Sequence, residues 1–265
     1  MSTHSTDPSS YQLIAVKYLD DIAQVTLTRP EKRNAINIHL INELSHCFSN
    51  MPESIKAIVL NGEGEAFSAG LDLNEARELT VPQAVKHSRT WHEAFEKIQY
   101  GTAPVIAVLH GAVVGGGLEL ASAAHIRVAD KTTFYGLPEG KRGIFVGGGG
   151  SARISRLIGV NRMSDLMLTG RVIGAEEGFQ IGISTYLTEP GKGLEKAMEL
   201  ARGIATNAEM TNYGVMHMLP RIADQTIQDG LATESLMAAV AQSDPATQRL
   251  LAEFLDQKKN KVQRS

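Results

Sequence analysis

The chain carries one cysteine, Cys47, so it cannot form an internal disulfide, and this fits a reducing compartment such as the cytoplasm. No run of apolar residues approaches the length of a membrane span. Neither sign of charge is in excess. Lys plus Arg number 26 against 29 Asp plus Glu, a net charge of −3, with the two signs interspersed. That pattern offers no surface for nucleic acid or an anionic membrane. The opening MSTHSTDPSS has neither an apolar run nor an arginine. A disordered tail over residues 1–10 is expected there, not a secretory signal or an organelle presequence.

Several catalytic signatures are missing as well. The eight histidines show no H-E-x-x-H or comparable ligand spacing, and one thiol makes no cluster, so no metal site is expected. His110 and His125 read as satisfied polar groups near the core. A nucleophile elbow needs G-x-S-x-G, but Ser68 follows Phe67 and Ala66, and Ser151 precedes Ala152 and Arg153. A dinucleotide fingerprint is imitated twice. Taking Gly115 and Gly117 as its first glycines puts Leu120 where the third should be and aims Glu119 at a pyrophosphate. Gly147-x-Gly149-x-x-Ala152 fits better, but residues 140–146 hold too much glycine and charge for a buried parallel strand.

What is present is an alternation of strands and helices over the first two thirds and helices alone thereafter. Tyr11 to Tyr18 and Ile22 to Thr28 alternate apolar with polar residues around Asp20-Asp21, which predicts a hairpin. Helical spacing runs from Ile38 to Phe48 and from Val81 to Tyr100, the latter opening at Thr80-Val81-Pro82. Lys56 to Asn61 is a short strand, and residues 62–73 are too rich in glycine for either regular state. Helices are predicted over 151–158, 162–168, 194–206, 210–219, 231–242 and 246–258. The segment holding Gly174, Gly178 and Gly182 leads into a short strand over 184–187. The quasi-regular βα alternation suits strands stacked as turns of a spiral better than one open sheet. The expected division is a tail over 1–10, a core over 11–190 and a helical region over 191–265.

The most informative stretch is 103–139. It reads as an apolar strand from Pro104 to His110, a turn crowded by Gly111, Gly115, Gly116 and Gly117, a short helix opening on Glu119, a second strand, and a tight loop holding Glu139. The first turn of a helix has amides without internal partners, and only glycine lets another molecule lie against them. Glu119 sits within the apolar run Gly-Leu-Glu-Leu-Ala-Ser-Ala-Ala, and Glu139 follows Tyr135-Gly-Leu-Pro. Singly, each glutamate reads as a solvated charge. In so apolar a setting, a carboxylate must be paired, protonated or functional.

Three segments resemble the signatures of the crotonase superfamily, the enoyl-CoA hydratase/isomerase group. They are Phe67-Ser-Ala-Gly-Leu-Asp-Leu73, Gly115-Gly-Gly-Leu-Glu119 with the preceding 105–114, and Phe134-Tyr-Gly-Leu-Pro-Glu139. Arg29 to Asn37 is similar to that family's CoA-binding loop, and Leu168 to Arg171 with Ala175 to Gly178 to its later signature. The resemblance covers residue 12 to the C-terminus, in family order and spacing.

The resemblance implies an α/β fold, a crotonase-type spiral of ββα repeats with a helical C-terminal trimerisation region, assembled as a homotrimer or a dimer of trimers. It implies an oxyanion hole from the amides of Leu71 and Gly116. It puts Lys32, Arg33, Ala35, Ala69, Asp72 and Leu73 along the CoA moiety of an acyl-CoA substrate. It gives catalytic roles to Glu119 and Glu139, with no separate cofactor, since coenzyme A enters as part of the substrate. Two carboxylates favour water addition across an enoyl-CoA double bond. Isomerisation, thioester hydrolysis and non-catalytic acyl-CoA binding are the alternatives. After Glu139, the run Gly140-Lys-Arg-Gly-Ile-Phe-Val-Gly-Gly-Gly-Gly150 departs from the family's usual proline-glycine turn. That puts a generic straight-chain substrate in doubt and opens the way to a branched or functionalised chain. Lys141 and Arg142 read as solvent-facing.

Overall fold

The computed structural model describes residues 11–72, 74 and 79–262, with side chains described to residue 256. The expected N-terminal tail and Leu73 lie outside the described residues. Two compact units are distinguished, one ending at Arg202 and the other beginning at Gly203.

The hairpin forms around Asp20-Asp21. β1 (Ile14–Leu19) runs antiparallel to β2 (Ile22–Leu27), Leu19 pairs with Ile22, and Asp20 takes a left-handed φ of 56°. Asp tolerates that conformation as a single turn residue. α1 (Ile38–Ser49) starts where the Asn37 side chain accepts the Leu40 amide at 2.9 Å, and it buries Leu40, Ile41, Leu44, Cys47 and Phe48. β3 (Ala57–Gly62) is parallel to β2. α2 (Val81–Gln99) opens with the Gln83 side chain accepting the Thr80 amide at 2.8 Å, and Trp91, Ala94, Phe95 and Ile98 form its buried face.

β4 (Val105–Leu109), β5 (Ala112–Val114), α3 (Gly116–Ala123), β6 (Ile126–Asp130) and β7 (Phe134–Gly136) follow. Then come α4 (Gly150–Ile158), α5 (Val160–Thr169), β8 (Val172–Gly174), α6 (Ala175–Gln180), β9 (Tyr186–Thr188) and α7 (Gly193–Ala205). The strands make a six-stranded sheet in the order β1-β2-β3-β4-β6-β9 and a three-stranded sheet in the order β5-β7-β8. From β4 to β7, successive strands fall alternately in the larger and the smaller sheet. The chain therefore advances as a spiral, and α3 leaves directly from the smaller sheet. Every residue of β4 is buried, as a strand covered on both faces requires.

The unit from Gly203 contains the end of α7, α8 (Glu209–Tyr213), α9 (Leu219–Ala223), α10 (Ile227–Ser243) and α11 (Pro245–Val262). The single helix expected over 210–219 is broken. A π-helical turn, Gly214–Met218, separates α8 from α9, with Pro220 in the first turn of α9. Proline has no amide to complete an α ladder, and a wider turn before it absorbs the mismatch.

Several short elements were not expected from the sequence, β7 among them, where a loop before Glu139 was expected. β5 lies inside what reads as a glycine turn, β8 ends at the first glycine of the glycine-punctuated segment 174–182, and α6 lies within that segment. His110 and His125 behave as the satisfied polar groups expected. His125 Nδ1 accepts the Val105 amide at 3.0 Å with Nε2 2.9 Å from Gln99 O, and His110 Nε2 is 3.1 Å from Gly64 O.

Candidate active site

Residues 66–72 run between two neighbours. On one side Ser68 bridges Val113, and on the other Leu71 bridges Ile36. The Ile36 bridge uses the carbonyl of Gly70 and the amide of Asp72, at 2.7 and 2.8 Å. Amides alternate in direction along an extended segment, so the Leu71 N–H faces away from Ile36. It faces the start of α3, where Gly116 holds the first helical position and its N–H has no partner within the helix. Among the described residues no acceptor takes either amide. Glycine is required at position 70, where φ is +87° and a β-carbon would lie 3.0 Å from the Gly116 nitrogen.

Glu119 is in the first turn of α3 and is 4% exposed. Its Oε1 accepts the amides of Gly148 and Gly150, both at 2.8 Å. Burial pushes the Glu119 carboxyl above its ordinary range, while the amides of Gly150, Gly148 and Gly147 and the Arg153 guanidinium pull the other way. Glu139 lies just before the 3-10 turn Gly140–Arg142 and is also buried, at 6% exposure. Its Oε2 has no hydrogen-bond partner among the described residues. Burial, aided by the nearby Glu119 charge, pushes the Glu139 carboxyl up to about 7. The amide donors favour the ionised form at Glu119, and nothing comparable holds the charge on Glu139 Oε2. Of the two carboxyls, Glu139 is therefore the one whose surroundings do less to hold a charge.

Both carboxyls and Leu71 line one cavity of about 350 Å³. Its remaining walls are mostly apolar, including Leu79, Ala84, Trp91, Ile144, Phe145 and Val146. Trp91 covers the start of α3, because a β-carbon at position 116 would fall 2.8 Å from its Cζ3. Trp91 Nε1 and His87 Nε2 are buried without partners among the described residues.

The expected CoA-contact residues lie on a different side of the Leu71 segment. Lys32 and Arg33 are exposed. Arg33 O accepts the Ala69 amide at 2.9 Å, Ala35 O accepts from Arg29 Nη1 at 2.9 Å, and Asp72 forms an ion pair with Arg29 at 2.9 Å. This group adjoins Leu71 but does not line the cavity. Leu73 is outside the described residues. Lys141 and Arg142 are exposed, as expected.

Sequence reasoning overlooked Gly148 and Gly150 as donors, and Trp91 and Ser88 as parts of the cavity. The run of four glycines leading into α4, Gly147 to Gly150, was the available signal. It points to an anion at the helix start, and the anion found there is the protein's own Glu119, not a phosphate. No group of three or more His, Cys, Asp or Glu side chains suited to a metal occurs among the described residues. No described helix is long and apolar enough to cross a membrane.

Two buried carboxyls and Leu71 line one largely apolar cavity, and the unclaimed amide of Gly116 lies close to that of Leu71. Such an arrangement can serve proton transfer beside a polarised carbonyl, as in an acid–base enzyme. The family model described as enoyl-CoA hydratase/isomerase matches residues 18–264, and the chain belongs to that family. A short-chain-enoyl-CoA hydratase from Clostridium acetobutylicum is 32% identical over 217 residues, covering 81% of this chain and 83% of its own. Among solved structures, a candidate enoyl-CoA hydratase from Rhodopseudomonas palustris is 52% identical with a TM-score of 0.92, covering 96% of this chain and 98% of its own. An enoyl-CoA hydratase from Bacillus anthracis is 28% identical with a TM-score of 0.87, covering 93% and 97%.

Proposed function

We propose that the protein is an enoyl-CoA hydratase that adds water across the 2,3 double bond of an acyl-CoA thioester. The observation that carries this reading is the pair of buried carboxyls facing one cavity with unequal hydrogen bonding. The thioester oxygen accepts from the amides of Leu71 and Gly116. As water attacks C3, charge moves onto that oxygen, and each donor of this kind is worth about 3 kcal/mol in the transition state. Glu119 takes the proton of the attacking water, whose hydroxyl bonds to C3. Glu139 gives its proton to C2. Exchange with solvent then returns the proton from Glu119 to Glu139 and closes the cycle.

The coenzyme A moiety runs along Lys32, Arg33, Ala35, Ala69, Asp72 and Leu73, and no separate cofactor takes part. The acyl chain lies against Leu79, Ala84, Ile144, Phe145 and Val146. The altered loop after Glu139 suits a branched or functionalised chain as well as a straight one. The core over 11–190 carries the chemistry, and the helical region over 191–265 joins subunits into a trimer or a dimer of trimers in the cytoplasm.

The test is a panel of enoyl-CoAs followed for both loss of conjugation and release of free thiol. Loss of conjugation without thiol release is the expected result. Thiol release would point to thioester hydrolysis, movement of the double bond without water uptake to isomerisation, and no change with any substrate to a binding protein. Each of those outcomes overturns the proposal.

A further inference from the structure

Two peptide units donate to Glu119 with a third between them, and the carbonyl of each of the three is held by a different group. The Gly149–Gly150 peptide donates its N–H to Glu119 Oε1, and its carbonyl accepts from the amides of Ala152 and Arg153 at the start of α4, at 3.2 and 3.1 Å. The carbonyl of the Gly148–Gly149 peptide accepts from Arg153 Nη1 at 3.3 Å, and Arg153 is anchored by Nε to Gln99 Oε1 at 2.6 Å. The Gly147–Gly148 peptide also donates to Glu119 Oε1, and its carbonyl accepts from the Ser88 hydroxyl at 2.6 Å.

Ser88 is unusual for a serine in the middle of a helix. Such a hydroxyl commonly bonds the carbonyl one turn back. Here it bonds Gly147, 59 residues away in sequence. Its single proton is committed to that bond, so His92 Nε2, 3.4 Å from the same oxygen, meets it as a donor. A chain results from the hydroxyl through one peptide to the carboxylate, and hydrogen bonds in series polarise one another.

We propose that Ser88 is a positioning residue for Glu119, acting through the Gly147–Gly148 peptide to aim and strengthen the N–H that holds Oε1. The kinetic part rests on reading Glu119 as the general base. Among the described residues, the charged or titratable groups around Glu119 are Glu139 after β7, Arg153 on α4, and His87 and His92 on α2 beside Ser88. Substituting Ser88 removes none of them, and of the four only His92, whose Nε2 lies 3.4 Å from the hydroxyl, loses a contact. Without its hydroxyl, the amide donates less well to the carboxylate, so Glu119 holds its proton to higher pH.

The experiment compares wild type, Ser88→Ala and Ser88→Thr. For Ser88→Ala, kcat for hydration is expected to fall by up to about tenfold, the worth of one good neutral hydrogen bond. KM should stay within about twofold, and the acid limb of the kcat profile should move up by about half a pH unit. Ser88→Thr restores both. An unchanged kcat and acid limb, or a change in KM alone, overturns the proposal.

A second measurement needs no turnover. In Glu139→Gln protein labelled with 13C-glutamate, the Glu119 carboxyl resonance, assigned by its loss in Glu119→Gln, is titrated with and without Ser88→Ala. An upward shift of its midpoint supports the proposal, and an identical midpoint overturns it. Wild type inert towards every enoyl-CoA would sink the hydratase reading, and this titration would still decide the role of Ser88.

Discussion

The amide nitrogen of Leu71 lies 3.3 Å from the point that a β-carbon on Gly116 would occupy. The two donors are thus packed against a space that only glycine leaves open. Gly116→Ala adds a methyl there and presses on Trp91 Cζ3, while alanine itself suits a helix better than glycine. We expect kcat to fall by about 10²- to 10³-fold, the worth of one such donor, with cooperative unfolding retained. Steady-state kinetics with a thermal melt on the same sample check this. Near-normal turnover would remove Gly116 from the oxyanion site.

In the proposed mechanism Glu139 must hold its proton, and burial with the Glu119 charge pushes that carboxyl up to about 7. The rate should therefore decline on the alkaline side with a midpoint near 7. Glu139→Gln has no proton to give, so its rate should drop by roughly 10²- to 10⁴-fold and lose that limb. A wild-type profile flat from pH 6 to 9 contradicts the assignment.

The same carboxyl sets a stability trend. Between its ordinary 4.5 and about 7, folded Glu139 keeps a proton that the unfolded chain has released. Its contribution is fully present below the lower value and is lost as pH rises through the upper one. At about 1.4 kcal/mol per pH unit, the loss is on the order of 3 kcal/mol. Glu139→Gln should therefore match wild type in urea unfolding near pH 5 and exceed it near pH 8, gaining stability where it has lost activity.

Trp91 is the sole tryptophan, it is 3% exposed, and it lines the cavity. Its fluorescence should report occupancy directly. Titration with butanoyl-CoA, which has no double bond to hydrate, should shift or quench the emission saturably, and Gly116→Ala should weaken the response. No change at saturating thioester would mean that the acyl chain lies elsewhere.

The helical unit exposes Ile227, Leu236 and Phe254 at 82%, 71% and 62%. Burying such side chains between subunits is worth about 1.5–3 kcal/mol each. In sedimentation, the protein should run at a multiple of 28.6 kDa, and Leu236→Glu should lower that mass with helicity kept. A monomeric wild type would rule out the trimer.

The local pattern of the chain was enough to mark much of this. Alternation and helical spacing announced β1, β2, α1 and α2, because each is decided by which side chains share a face. An acid inside Gly-Leu-Glu-Leu and another after Tyr-Gly-Leu-Pro stood out because carboxylates rarely belong in apolar surroundings. The three-residue strands β5 and β8 did not stand out, since their pairing is supplied by β7 from another part of the chain.

Sequence alone fixed which groups could do chemistry, because a carboxyl is written in the residue. Tertiary structure decided what those groups do. Glu119 is held by amides 29 and 31 residues further on, and the peptides that carry them by a hydroxyl on α2 and by two backbone amides of α4. A backbone N–H is common to every residue except proline, so no letter of the sequence says which of them will point at a carboxylate. Likewise, the inequality between Glu119 and Glu139 comes from how completely the closed fold removes water from each and which donors it leaves within reach.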